Sequence, residues 1–256
     1  MLILLPPSEG KTAAAADGPP VALAGLCYPD ELTDQRRKIV DALQVVSGLN
    51  GAESFLRITP KIAAEWLGPN QRLWESPTAT AAELYTGVLY ENLKFSELPD
   101  TSSVYIFSAV WGIVRPGDRI PPYRMNMKAK LPGFTGSGGM SRYWREAVGT
   151  VFDQHHSDEI VLDMRSSDYV ATWKPGSRGV ALQAYREDKG VRKPITHMAK
   201  AIRGEVGNLV LREQFHAESP QELAEFLSGH GYHVELSKPT DARKSWTLTV
   251  VISDRW

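Results

Sequence analysis

Ser103-Val-Tyr-Ile-Phe-Ser108, followed by Ala109-Val-Trp-Gly-Ile-Val-Arg-Pro-Gly-Asp-Arg-Ile-Pro-Pro-Tyr-Arg-Met-Asn-Met127, is the stretch that decides the fold. Its first six residues have a continuous apolar interior, as a strand buried on both faces does. The residues after them are rich in Gly, Pro and Arg, which predicts a loop at the strand's carboxyl end, where α/β sheets commonly form ligand crevices. Working outward, Leu2–Leu5 is another short apolar run, cut by Pro6-Pro7, and Glu159–Met164 is a third. Helical spacing of apolar residues marks Asp30–Val46, Pro60–Leu67, Ala79–Leu93, Ser141–Phe152, Thr196–Leu211 and Pro220–Leu227. Val180–Tyr185, Tyr232–Leu236 and Trp246–Ile252 read as extended, the last two as an antiparallel pair. The expectation is an α/β (or α+β) protein with a mixed β-sheet and surrounding helices. It would be a single domain over residues 1–256, with an early helical region at about 30–93 embedded in it.

A chain of 256 residues with 42% hydrophobic content can bury a substantial core. It contains no run of 18 apolar residues, and its apolar start stops at Pro6-Pro7 without a basic leader. That start reads as a strand, and no membrane partner is expected. The single Cys27 cannot form an internal disulfide, which fits a reducing, cytoplasmic location. It also has no resolving thiol in the chain, which argues against a peroxide-sensing role. The net charge of −1 excludes a uniformly basic nucleic-acid coat, so any polyanion site must come from segregated charge. Met1 to Val110 carries eight Lys/Arg against thirteen Asp/Glu, whereas Trp111 to Arg145 carries seven basic residues and only Asp118 as acid. Tyr185 to Arg212 adds seven basic residues against three acidic.

Arg115, Arg119, Arg124, Lys128 and Lys130 all follow the decisive strand, and a phosphate site is the natural reading of so many guanidinium and ammonium groups. Pro116, Pro121 and Pro122 would stiffen the loop, and Trp111 and Tyr123 could stack on bases. Asp118 either locks a turn or takes part in chemistry. Ser8-Glu-Gly-Lys-Thr12 ends like a phosphate-binding P-loop, but Leu5 stands where that motif requires glycine. Lys11 remains an anion-binding candidate, and Glu9 and Ser108 join Asp118 as weak catalytic candidates. In Arg165-Ser-Ser-Asp-Tyr169, Ser166 or Ser167 would cap a helix. Lys200 and Arg203, three residues apart, share a helix face with His197 one turn earlier. His155, His156, His230 and His233 with one Cys make no metal-ligand set, and no cofactor is expected. No G-x-S-x-G element or acid/base pair identifies a hydrolase, which leaves the question of enzymatic activity open.

Four stretches, MLILLPPSEGKT, SAVWGIVRPGDRIPPYRMNM, RSSDYV and HMAKAIRG, together resemble the YaaA peroxide stress family and occur in its order. The family's central motif reads approximately S-G-L-Y-G-x-x-R-P-x-D-x-x-x-P-Y-R-x-x-M. Gly112, Arg115, Pro116, Asp118, Pro122, Tyr123, Arg124 and Met127 keep its spacing, while Ala109 and Trp111 stand at its Gly and Tyr. The resemblance implies a compact family-specific fold with a basic cleft, a helix-hairpin-helix-like element, and DNA binding with little sequence specificity. It also implies a role in surviving oxidative stress by limiting damage through intracellular iron. On that expectation Lys11, Arg115, Arg119, Tyr123, Arg124, Lys128, Lys200 and Arg203 hold DNA phosphates. The hairpin would fall at Phe55–Ala63, with Thr59 and Lys61 against the backbone, although the usual hairpin glycines are absent. The alternative expectation is an enzyme or binder for a nucleotide-like small molecule, with Arg124 on phosphate and Tyr123 against the base.

Overall fold

The computed structural model describes residues 1–134, 138–188, 191–194 and 196–252. In chain order the elements are β1 (Leu2–Leu5), α1 (Pro29–Ser47), α2 (Ala52–Leu56), α3 (Pro60–Asn70), β2 (Ala79–Thr80), α4 (Ala81–Leu84) and α5 (Val88–Leu93). Next come β3 (Val104–Ser108), β4 (Gly112–Val114), β5 (Arg119–Ile120), α6 (Gly139–His155), β6 (Val161–Asp163), α7 (Ser167–Val170) and β7 (Gly179–Asp188). The last are β8 (Val191–Pro194), α8 (Thr196–Arg212), α9 (Pro220–Gly229), β9 (Val234–Ser237) and β10 (Trp246–Ile252).

The main sheet runs β4-β3-β1-β6-β7-β10-β9, with β8 hydrogen-bonded to β7 off that path. It is mixed, as the sequence predicts. β1 pairs in parallel with β3 on one side and β6 on the other, and β10 lies parallel to β7 but antiparallel to β9. Leu2–Leu5 and Val104–Ser108 are buried throughout, which is why both read as unbroken apolar runs. After β1 the chain returns on one side at β3 and later on the other at β6. Loops leaving the carboxyl ends of β1 and β6 therefore diverge and leave a crevice between them, the place where open α/β sheets bind ligands.

Helices cover this sheet. Pro29 opens α1 at its first turn, with Asp30 and Glu31 complementing the helix dipole. Leu32, Ile39, Leu43 and Val46 are buried on one face of it. Arg36 lies among them fully buried, and its guanidinium donates to the carbonyls of Trp111 (3.1 Å) and Ile113 (2.9 Å). A cation in the core thus clamps the β3–β4 hairpin, and burial lowers its pKa. α1 packs on α6, α5 on α8, and α8 also meets β7. No described helix is long and apolar enough to cross a membrane.

The segment expected as one helix over Ala79–Leu93 is divided. Thr80 caps α4 through a reciprocal capping box with Glu83, and the helix ends at Tyr85. Gly87, at φ +98°, turns the chain before α5. Phe55–Ala63 falls on the end of α2, the turn at Arg57–Thr59 and the start of α3, a corner of two helices in which Thr59 accepts from the backbone N–H of Ile62.

Candidate functional site

Segments from several loops and from helices α5, α7 and α8 enclose a cavity of about 410 Å³ at the carboxyl ends of β1 and β6. Pro6–Lys11 contributes from β1, Tyr123–Met127 from beyond β5, Ser166, Asp168 and Tyr169 from beyond β6, and Lys200 and Arg203 from α8. Thr86 and Gly87, the turn that divides α4 from α5, with Val88–Tyr90 at the start of α5 and Ile58 from the α2–α3 turn, complete the wall. The volume suits a ligand of nucleotide size.

The loop after β1 is held in place by its neighbours. Lys11 forms a backbone bridge to Tyr85, Thr12 N–H donates to Leu84 O (2.9 Å), and Ser8 Oγ accepts from Thr86 N–H (3.0 Å) while donating to Gly10 O. Lys11 Nζ donates to Ser8 O at 2.9 Å and lies 4.4 Å from the centre of the Tyr123 ring. Among the described residues no carboxylate pairs with it, and the nearby Glu9 is engaged by Arg124 (2.9 Å). Burial, reinforced by the Arg124 charge, brings the Lys11 pKa down to about 7, with Glu9 opposing the shift.

Beneath Lys11, Tyr123 Oη lies 2.7 Å from Ser108 Oγ and 2.9 Å from Tyr85 Oη. Ser108 Oγ accepts from the N–H groups of Val110 and Trp111, so its lone pairs are used and its own proton is directed to Tyr123. Ser108 is therefore a buried pin at the end of β3, with no free nucleophilic hydroxyl. Tyr123 is 1% exposed and forms the cavity floor; burial pushes its phenol up to about 12. Trp111 is fully buried against the Tyr123 edge, so the expected stacking of both rings on bases is not available from these positions.

Arg124 is positioned twice. Asn70, buried at the end of α3, exchanges two hydrogen bonds with its backbone (2.8 and 3.0 Å), and its guanidinium donates to Glu9 O (2.7 Å) and Oε2 (2.9 Å). Across the cavity, Arg203 Nε is buried without a hydrogen-bond partner among the described residues. Burial lowers its pKa, partly offset by Asp163. Asp163 is itself held in a bidentate ion pair with buried Arg165 (2.8 and 2.6 Å). Arg165 also donates to Trp173 O (2.9 Å) and stacks on Phe107, which fixes the loop carrying Ser166–Tyr169. Ser166 occupies the N-cap of α7, but its side chain makes no cap hydrogen bond.

Of the predicted phosphate residues, Lys11, Tyr123, Arg124, Lys200 and Arg203 meet here, with Glu9 beside them. Lys128 pairs with Asp168 at 3.1 Å and, with Arg57 and Lys130, lines a groove sharing Met127 and Asp168 with the cavity. Arg115 and Arg119 lie elsewhere, donating to Tyr105 Oη (2.8 Å) and Thr78 O (2.7 Å). Thr59 and Lys61 are exposed on the α2–α3 corner, and the His197 side chain lies outside the described residues. Asn70, Tyr85 and Asp163 were not legible as site residues, since nothing in their local sequence marks them; Asp168 and Tyr169 lie in the Arg165–Tyr169 stretch that the sequence singles out, but there the serines drew the reading. Among the described residues, no group of three or more His, Cys, Asp or Glu could hold a metal ion.

Asp118 resolves to the turn-locking role. Its Oδ2 accepts from the backbone N–H groups of Arg115 and Cys27, both at 3.0 Å, away from the cavity. Asp118→Ala leaves two donors unmet and is expected to destabilise the protein by about 3 kcal/mol in urea unfolding, with cavity ligand affinity retained. An unchanged midpoint would contradict that role. Burial, and then Asp118, pushes the Cys27 thiol up to about 12, which makes it a poor thiolate and a poor peroxide target.

Fold and site together define an α/β protein with a cation-lined, tyrosine-floored cavity at the carboxyl ends of its parallel strands. The family described as "Peroxide stress protein YaaA" matches residues 1–238, and the chain belongs to that family. A UPF0246 protein of Streptomyces coelicolor is 34% identical over 263 residues, covering 99% of both chains. A UPF0246 protein of Corynebacterium efficiens is 36% identical over 256 residues, covering 98% of this chain and 100% of its own. A Campylobacter jejuni protein described as uncharacterized is 33% identical over 138 residues, 52% of this chain and 53% of that one.

Proposed function

We propose that this peroxide stress family member binds a compact phosphorylated, nucleotide-like ligand in the cavity. The observation that carries the reading is Arg203. Arg203 Nε is buried without a hydrogen-bond partner among the described residues, and an anion between Arg203, Lys200, Arg124 and Lys11 would offset the cost of burying that charge. The Arg124 fork already grips one carboxylate oxygen and one carbonyl of Glu9, whose own side chain is 79% exposed and free to yield to a ligand phosphate. A thermal-shift titration with nucleotides and inorganic pyrophosphate tests it. Saturable stabilisation is expected, about 2.7 kcal/mol at a ligand concentration 100 times Kd. Arg124→Lys replaces the planar fork by a point charge and should weaken binding at least about tenfold. Absence of stabilisation by every phosphorylated compound would refute the reading.

A second reading is favoured by the groove of Arg57, Lys128 and Lys130 beside the α2–α3 corner. In it the ligand is one nucleotide unit of DNA, with neighbouring phosphates on the groove and on Lys61. That is the route by which the family's proposed DNA binding and protection from iron-dependent damage would reach this chain. DNA affinity should then fall steeply between 50 and 200 mM salt and tolerate Arg124→Lys, whereas a cavity ligand should show little salt dependence.

A further inference from the structure

We infer that Lys11 is a nucleophilic amine that forms a reversible imine with a phosphorylated aldehyde or ketone held in the cavity. This deepens the proposed function and rests on it for the phosphate contacts. Three features of the geometry point to a reacting group. Among the described residues Lys11 Nζ has no carboxylate partner; it donates to Ser8 O, lies over the face of Tyr123 and stands 5.5 Å from the centre of the Tyr85 ring. A lysine serving only as a phosphate clamp would gain from a carboxylate neighbour in the free protein, yet the nearby Glu9 is turned to Arg124 instead. The loop is also fixed at both ends, by the Lys11–Tyr85 bridge and by Thr86 N–H on Ser8 Oγ, so the amine is held rather than mobile. The depressed lysine pKa, about 7, follows from the same surroundings and supplies free amine at neutral pH.

The step balances without any co-reactant. The Nζ lone pair attacks the carbonyl carbon, and the carbonyl oxygen takes a proton to give a carbinolamine. The carbon–oxygen bond then breaks as the nitrogen lone pair forms C=N. Both protons of the original amine leave with the oxygen as water. When the imine is protonated, the Tyr123 ring face stabilises its charge. Arg124, Lys200 and Arg203 would hold the phosphate. Such a carbonyl could belong to a free sugar phosphate or to the ring-opened deoxyribose of an abasic site in a DNA strand, which carries phosphate on the same sugar.

The full-length protein is incubated with pyridoxal 5′-phosphate, deoxyribose 5-phosphate or a duplex containing an abasic site, each with sodium cyanoborohydride. Peptide mass spectrometry then locates the reduced adduct. Labelling of Lys11 is expected to exceed that of the exposed Lys38 by at least about tenfold, the advantage of a free amine present near pH 7. It should be competed by pyrophosphate, and lost in Lys11→Arg but kept in Lys38→Arg. In the unmodified chain its rate should fall about tenfold per pH unit below pH 7, read against the groups facing Nζ, namely Glu9, Arg124, Tyr85 and Tyr123, with Asp168, Tyr169, Lys200 and Arg203 across the cavity. Labelling by the free sugar phosphate alone assigns the small-molecule source, and labelling by the duplex alone assigns the strand. Lys11 labelled no faster than Lys38 while phosphorylated ligands still stabilise the protein would overturn the imine and leave the binding site standing. Neither labelling nor stabilisation would overturn both.

Discussion

Arg203→Leu is expected to make the ligand-free protein more stable and at the same time to cost it roughly 100-fold in affinity for a phosphorylated ligand. The two effects have one cause. In the free protein the Arg203 Nε is buried without a hydrogen-bond partner among the described residues, and burial disfavours its charge. Leucine has a good helix propensity, fills part of the same space and removes the unmet donor, a gain of about 1 kcal/mol. With an anion in the cavity the sign reverses. A charge-assisted hydrogen bond to a buried guanidinium is worth about 2.7 kcal/mol, which corresponds to the 100-fold loss. Urea unfolding without ligand and calorimetric titration with pyrophosphate measure the two terms separately. Lys200, one turn away and exposed, is the control: Lys200→Met should leave ligand-free stability within about 0.5 kcal/mol. If Arg203→Leu instead destabilises the free protein and leaves affinity unchanged, Arg203 serves the fold and the anion reading loses its main support.

Which residues reach this cavity was only partly legible in the sequence, and the reason is strand direction. Leu2–Leu5 and Val104–Ser108 are buried on both sides, so their apolar runs locate strands, and the residues just beyond β1, including Lys11, fall at the carboxyl edge as expected. Gly112-Ile-Val114 is three residues within a Gly/Pro-rich stretch, too short to read as a strand. It nevertheless pairs antiparallel with β3, Ser108 opposite Gly112 and Ile106 opposite Val114. Gly112 makes the reversal with φ +73° directly over the Trp144 ring, where a Cβ would come to 2.8 Å. Arg115 is thereby returned to the amino end of β3, beside Tyr105, and Arg119 lies in the separate β2–β5 pair, so the expected cluster of five cations is divided. Tyr123 and Arg124 come back only because Arg119–Ile120 first pairs with Ala79–Thr80. The buried groups that orient them, Asn70 and Ser108, act across 54 and 15 residues, separations that no local pattern encodes.

Gly204→Ala should be the most damaging single-methyl change in the helices, although glycine-to-alanine within a helix ordinarily stabilises by about 1 kcal/mol. Gly204 follows Arg203 on α8, where that helix crosses α5. A Cβ there would stand 2.7 Å from Asn92 Cβ and 3.0 Å from Leu93 N, and closer still to Leu89 O. Two of those atoms are backbone, so no rotamer change relieves the overlap and the helices must part. Overpacking of this kind costs up to about 3 kcal/mol or more, which outweighs the propensity gain and leaves a net loss of roughly 2 kcal/mol or more. For a chain of this size that is a fall in Tm of about 4–8 °C. Gly149 on α6 provides the contrast, because its Cβ would meet only Trp173 Cδ1 at an ordinary 3.8 Å. Gly149→Ala should therefore raise Tm by about 2–4 °C. The displacement also bears on function. α8 carries Lys200 and Arg203, α5 begins at the Thr86–Gly87 turn that walls the cavity, and separating them widens the anion site. Ligand affinity should fall in Gly204→Ala even at temperatures where the variant is folded, and stay unchanged in Gly149→Ala. Equal affinity in both variants would mean that the α5–α8 contact supports the fold without setting the geometry of the site.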